Sequence, residues 1–165
     1  MPPPIALTRI SLHPLKTPRS ASSSNSYLFI FAIIFSLYDT ISTALCVNAN
    51  GHEYELSTLL KWAIYNFGVA GLAGVKMGVT LVALATVYWI VANGIQLGRN
   101  GVKKFYGVYL GVILSNAYAG TSNISVILGN GSFYLLDLNA AQIALLLAFL
   151  PLLVILLVVL FFDIS

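Results

Sequence analysis

Two ionisable side chains, Asp39 and Lys76, each stand inside a long run of apolar residues. A charge surrounded by hydrocarbon costs about 3 kcal/mol or more, so such residues mark a function or a structural device. An acid and a base placed this way can pair to fix the register of two helices. They can also relay a proton or ion, or bind a polar ligand. Asp39 lies nine residues before Asn48, the end of its apolar run, or about 14 Å at the helical rise per residue. Lys76 lies seven residues after Val69, the start of the next run, or about 11 Å by the same rise. In antiparallel neighbouring helices these depths match, and the spacing predicts an Asp39–Lys76 ion pair facing the interior. Asn116, in a third run, is expected at a comparable depth and completes a candidate intramembrane polar site of Asp39, Lys76 and Asn116. Tyr38, Thr43, Thr80, Ser115, Thr121 and Asn123 add hydrogen-bonding groups of the kind that join membrane helices.

The remaining reactive residues are few. An aspartyl protease working within the membrane needs two carboxylates there, and only Asp39 lies in an apolar run. A membrane serine protease needs a histidine, and His13 and His52 both lie outside the runs. Cys46 is the single cysteine, which excludes an intrachain disulfide and a CxxC pair. His52, Glu53 and Glu55 cluster between the first two runs, a sparse ligand set for a metal. The sequence carries no catalytic, cofactor or metal motif, and the reading is of a non-enzyme that uses no cofactor. Nucleic-acid binding is not expected either, since no basic stripe interleaved with aromatics is present.

The elements that must position these residues follow from composition. Hydrophobic residues make up 59% of the 165-residue chain and charged residues 8%. A soluble domain has about 25% charged residues and could not bury this much apolar surface. Four apolar stretches stand out, at about residues 27–48, 69–92, 105–128 and 140–162. Each is long enough to cross a hydrocarbon core of about 30 Å as a helix. Helix is required there because each backbone group must find its partner within the segment. The first stretch is longer than the core of a signal peptide and contains Asp39, so it is read as an uncleaved helix. Pro151 predicts a kink in the fourth. Gly74-x-x-x-Gly78 and Gly107-x-x-x-Gly111 predict close helix packing.

Residues 1–26 form a Pro- and Ser-rich basic segment, expected to be a flexible tail. From Glu55 to Phe67 the apolar residues Leu56, Leu59, Leu60, Ala63, Ile64 and Phe67 recur at helical spacing, with Trp62 and Tyr65 among them. This pattern predicts a short helix lying at the membrane surface. Arg9, Lys16 and Arg19 in the tail and Arg99, Lys103 and Lys104 in the second loop stand against Lys61 alone in the first loop and none in the third. The positive-inside rule therefore places the tail, the second loop and the C-terminus in the cytoplasm.

The order Asp39-x-x-x-Thr43, Glu55, Lys76 resembles an uncharacterised family of small prokaryotic multi-pass membrane proteins. That family has an Asp followed by a Thr in its first helix, a Glu-x-Asn-Pro element in the next loop and a Lys in its second helix. Ser57 and Thr58 stand where the Asn and Pro would be. The resemblance covers about residues 27–128. It implies a four-helix architecture and a shared polar site, but no reaction.

The sequence thus predicts an all-α integral membrane four-helix bundle in the cell membrane, with a disordered basic tail and a short interfacial helix. Its expected role is that of a multi-pass protein without catalytic activity, structural or accessory to a membrane complex. The alternative is a small oligomeric transporter or ion-conducting protein using Asp39 and Lys76. The partners implied are the lipid bilayer and either other membrane subunits or further copies of the chain.

Overall fold

The computed structural model describes residues 20–55, 57–92, 98–134 and 137–162. Among them the chain is all-helical, with α1 (Ser20–Asn50), a single 3-10 turn (His52–Tyr54), α2 (Thr58–Ala92), α3 (Gly98–Ile127) and α4 (Ala140–Phe162). Three helices are long and apolar enough to cross a membrane: α1, α2 and α4. The third falls short because its sequence concentrates polar residues and glycines, with Ser115, Asn116, Thr121, Ser122, Asn123 and Ser125 within one stretch.

Two helix starts differ from the sequence expectation. The first helix begins at Ser20, so residues 20–26 are helical and only the tail up to residue 19 lies outside the described residues. The third begins at Gly98 and takes in Arg99, Lys103 and Lys104. The physical reason is common to both. Apolar residues mark the part of a helix that avoids water, whereas the helix itself continues into polar sequence wherever propensity allows, and Lys and Arg are good helix formers.

Among the described residues α1 packs on α3 and on α2, α3 packs on α4, and α2 also meets α3. The middle is formed by α1 and α3, with α2 against both and α4 against α3. Two hydrogen bonds fix how α1 and α3 lie. Asn116 reaches Ser36 and Asn123 reaches Thr43, and the partners are separated by 80 residues in both cases. The two helices therefore run parallel, with a seven-residue repeat of contacts like that of a coiled coil.

The first helix is inside out compared with a helix in water. Ser36 and Ser42 are 2% and 1% exposed, while Ile34 and Ile41 are 52% and 57% exposed. Polar groups face its neighbours and apolar groups face outward, the arrangement that an apolar solvent favours. Toward the start of α1, Ala32 packs with Leu84, Val87, Val91 and Tyr109 in an apolar core. The polar groups gather further along, toward the α1 C-terminus.

Glycines set the closest approaches. A Cβ on Gly111 would strike the backbone carbonyl of Ala148, and one on Gly107 would lie 3.0 Å from Leu152 Cα. The Gly107-x-x-x-Gly111 pair thus seats α4 on α3 within one chain. Gly74 and Gly78, by contrast, have nothing within 4 Å. Pro151 lies inside α4, which the backbone follows from Ala140 to Phe162 without a break. That helix starts with a reciprocal cap: Gln142 N–H donates to Asn139 Oδ1 at 3.0 Å, and Asn139 N–H donates to Gln142 Oε1 at 2.9 Å.

The second helix is two helices joined at Gly68, where φ is 65° and ψ is −162°. Residues 58–67 form the short helix that the apolar spacing indicates, and residues 69–92 the long one. The turn folds the short segment back until a Cβ on Gly71 would lie 2.6 Å from the Ala63 carbonyl oxygen. Ser57 opens the short helix: Leu60 N–H donates to its hydroxyl at 3.5 Å, and Lys61 N–H to its carbonyl at 2.9 Å.

Candidate functional site

Asp39 occupies the face of α1 that also carries Ser36, Thr43 and Cys46, and it is 3% exposed. Lys76 approaches from the long segment of α2. Its Nζ lies 2.8 Å from Asp39 Oδ2 and donates to Thr43 Oγ1 at 2.7 Å. The expected ion pair is therefore present, with Thr43 as a third member. The Thr43 hydroxyl donates to the Asp39 backbone carbonyl at 2.7 Å, and its oxygen lies 3.3 Å from Asp39 Oδ1. It also accepts from Asn123 Nδ2 at 2.9 Å, and the same amide group donates to Ser42 Oγ at 3.3 Å. One hydroxyl on α1 thus holds groups from α2 and α3 together.

Asn116 is not part of this group. It donates to Ser36 Oγ at 2.9 Å, and Ser36 in turn donates to the Ala32 carbonyl at 2.7 Å. That contact is one heptad nearer the apolar core than the Thr43–Asn123 contact. The site is therefore Asp39, Thr43, Lys76 and Asn123, with Asn123 in the place expected for Asn116. The signal that finds Asn123 is its spacing. It lies seven residues beyond Asn116 on one helix face, as Thr43 lies seven beyond Ser36.

The other polar residues singled out mostly stay local. Thr80 donates to the Lys76 carbonyl, Thr121 to the Ala117 carbonyl and Ser115 to the Val112 carbonyl. Tyr38 lies with its ring against Gly120 and its hydroxyl 3.4 Å from that of Thr121. The His52–Glu53–Glu55 cluster divides. His52 Nε2 lies 3.1 Å from Glu53 Oε1 and Lys61 Nζ 3.6 Å from Glu53 Oε2, all on exposed side chains. Glu55 turns elsewhere: its Oε1 accepts the Ser57 N–H at 2.8 Å, and the residue borders a cavity.

That cavity has a volume of about 130 Å³ and is partly open. Asp39, Thr43, Lys76 and Asn123 line it, together with Tyr54 and Glu55 from the short turn and the residue after it. Small side chains, chiefly Ala140, Ala141 and Ala144 at the start of α4, make up much of the rest. The ion pair is thus buried by protein on most sides but borders a space large enough for a few water molecules or a small ligand.

Comparison with known proteins finds no match for this chain, whether among family models, curated proteins or solved structures.

Proposed function

We propose that this chain is a multi-pass protein of the cell membrane, without catalytic activity, whose buried Asp39–Lys76 network holds its helices in register as a structural or accessory subunit of a membrane complex. The observation that carries this reading is the sharing of one α1 hydroxyl by groups from α2 and α3. Thr43 Oγ1 accepts from Lys76 and Asn123 and donates to Asp39, so three helices share one hydroxyl. A nucleophile or general base would keep a lone pair directed at a substrate, whereas the Asp39 and Lys76 charges are directed at each other. Buried ion pairs add little net stability but can specify one arrangement of elements.

In this reading all four helices cross the bilayer. The polar residues of α3 are tolerated because that helix lies between α1 and α4 and its amides bond to α1. The tail, the second loop and the C-terminus are cytoplasmic, and residues 58–67 lie along the outer surface, where Trp62 and Tyr65 suit the headgroup zone. The outward apolar faces of α2 and α4 meet lipid or neighbouring subunits. The Asp39, Thr43, Glu55 and Lys76 of the family resemblance all border the one cavity, which agrees with a shared polar site.

Native purification from membranes, followed by mass spectrometry of whatever co-migrates, tests the reading. Defined partners in fixed ratio support an accessory subunit. A chain found alone or only with itself contradicts it and favours the second reading, a small oligomeric transporter, for which the cavity beside the ion pair is the supporting observation. Ion flux with an Asp39→Asn control then follows.

A further inference from the structure

The cavity beside the network has a charge imbalance. Asp39 and Lys76 neutralise each other at 2.8 Å. Glu55 on the same lining has no lysine, arginine or histidine within ion-pair distance among the described residues. It is also only half-buried, which leaves it reachable from the space it borders. The lining therefore carries one net negative charge. Asn123 adds an acceptor, because both its contacts are made by Nδ2 and its Oδ1 has no donor among the described residues. An inorganic cation would need a cage of about six oxygens, more than Glu55 and Asn123 supply, whereas an ammonium group needs a counter-charge and a few acceptors. The alanines at the start of α4, with Val47, instead offer short apolar contacts. A cavity of about 150 Å³ in another protein holds benzene, so about 130 Å³ limits a ligand to about six heavy atoms.

We propose that this cavity binds a short primary ammonium group, with Glu55 as its counter-charge, Asn123 Oδ1 as a second acceptor, and the alanine wall of α4 around its alkyl part. The inference rests on the membrane reading above, since it places Glu55 at the outer surface. An ammonium group of this size reaches such a site either as a free amine or as the headgroup of an ethanolamine lipid, and the chemistry of recognition is the same.

The test is isothermal titration calorimetry of the full chain in mild detergent with propylammonium chloride. Saturable binding is expected, with none for the uncharged 1-propanol and none for the oversized tetrapropylammonium ion. Glu55→Gln keeps a carbonyl oxygen for the Ser57 N–H but loses the charge, and should weaken binding about tenfold or more. Ala144→Phe fills the cavity and should abolish binding with Glu55 intact. Circular dichroism and thermal midpoints establish that each variant is folded. Equal affinity in the parent and the folded Glu55→Gln variant overturns the proposal, as does the absence of saturable heat in the parent. Repeating the titration in phosphatidylethanolamine and phosphatidylcholine nanodiscs separates the sources. Weaker binding in the first identifies the lipid headgroup as the competing ligand, and equal binding identifies a free amine. Loss of ligand binding with co-purifying partners intact would sink this inference and leave the accessory reading standing.

Discussion

Lys76 Nζ lies 2.7 Å from Thr43 Oγ1, an oxygen that also accepts from Asn123 at 2.9 Å. A threonine side chain is thus the meeting point of three helices, with the neighbouring carboxylate supplying the charge. A methyl in place of that hydroxyl removes an acceptor from two donors at once, one of them charged.

Thr43→Val should therefore destabilise the protein by about 1–3 kcal/mol, the cost of leaving a buried polar group without its partner. Thr43→Ser keeps the oxygen and should stay close to the parent. Unfolding midpoints in mixed detergent with increasing dodecyl sulfate measure both.

The two asparagines of α3 give a second comparison. Among the described residues Asn116 bonds to Ser36, whereas Asn123 bonds to Ser42 and to Thr43 beside the ion pair. Asn123→Ala should cost more than Asn116→Ala, with each bond worth about 0.6–2 kcal/mol. The same unfolding measurement decides it, and the reverse order would place the weight of the α1–α3 contact at Ser36.

Much of this was legible in the sequence, and the reasons for the rest are specific. Asp39 and Lys76 stood out because each charge interrupts an apolar run, and counting rise along two helices was enough to pair them. The short helix before Gly68 was visible in the spacing of Leu59, Leu60, Ala63, Ile64 and Phe67. Asn123 was missed as the site's asparagine because depth counted from the ends of apolar runs does not give the axial offset between two parallel helices. That offset depends on contacts such as the Tyr38 ring against Gly120, which no single-helix pattern contains. Which helices pack together was hidden for a related reason. An apolar face reads the same whether it meets another helix or the surroundings, as α2 and α4 illustrate.

Glycines that look alike in sequence should behave differently. Gly111→Ala drives a methyl into the Ala148 carbonyl and should separate α4 from α3, with a cost of about 1–3 kcal/mol for overpacking. Gly74→Ala and Gly78→Ala meet nothing within 4 Å and should be neutral, or stabilising by up to about 1 kcal/mol through helix propensity. A loss of oligomers at Gly74→Ala with unchanged monomer stability would instead show that this open face packs against another chain.

The hinge in α2 depends on Gly68, whose φ of 65° is strained for any residue with a Cβ. Gly68→Val should straighten the junction and lift residues 58–67 from their place. Cysteine labelling at Trp62→Cys, compared in the parent and the Gly68→Val background, reads this as a change in accessibility to a membrane-impermeant maleimide. Identical labelling would mean that the junction bends for another reason.

Asp39 and Lys76 should be energetically coupled in the interior of the protein, and a double-mutant cycle measures that coupling. Unfolding free energies are compared for the parent, Asp39→Asn, Lys76→Met and the double variant. Each single change strands one buried charge, at a cost of about 3–5 kcal/mol, and the double change strands none. The double variant should be more stable than either single variant. Additive losses would contradict it, since the two side chains would then contribute independently despite their 2.8 Å separation.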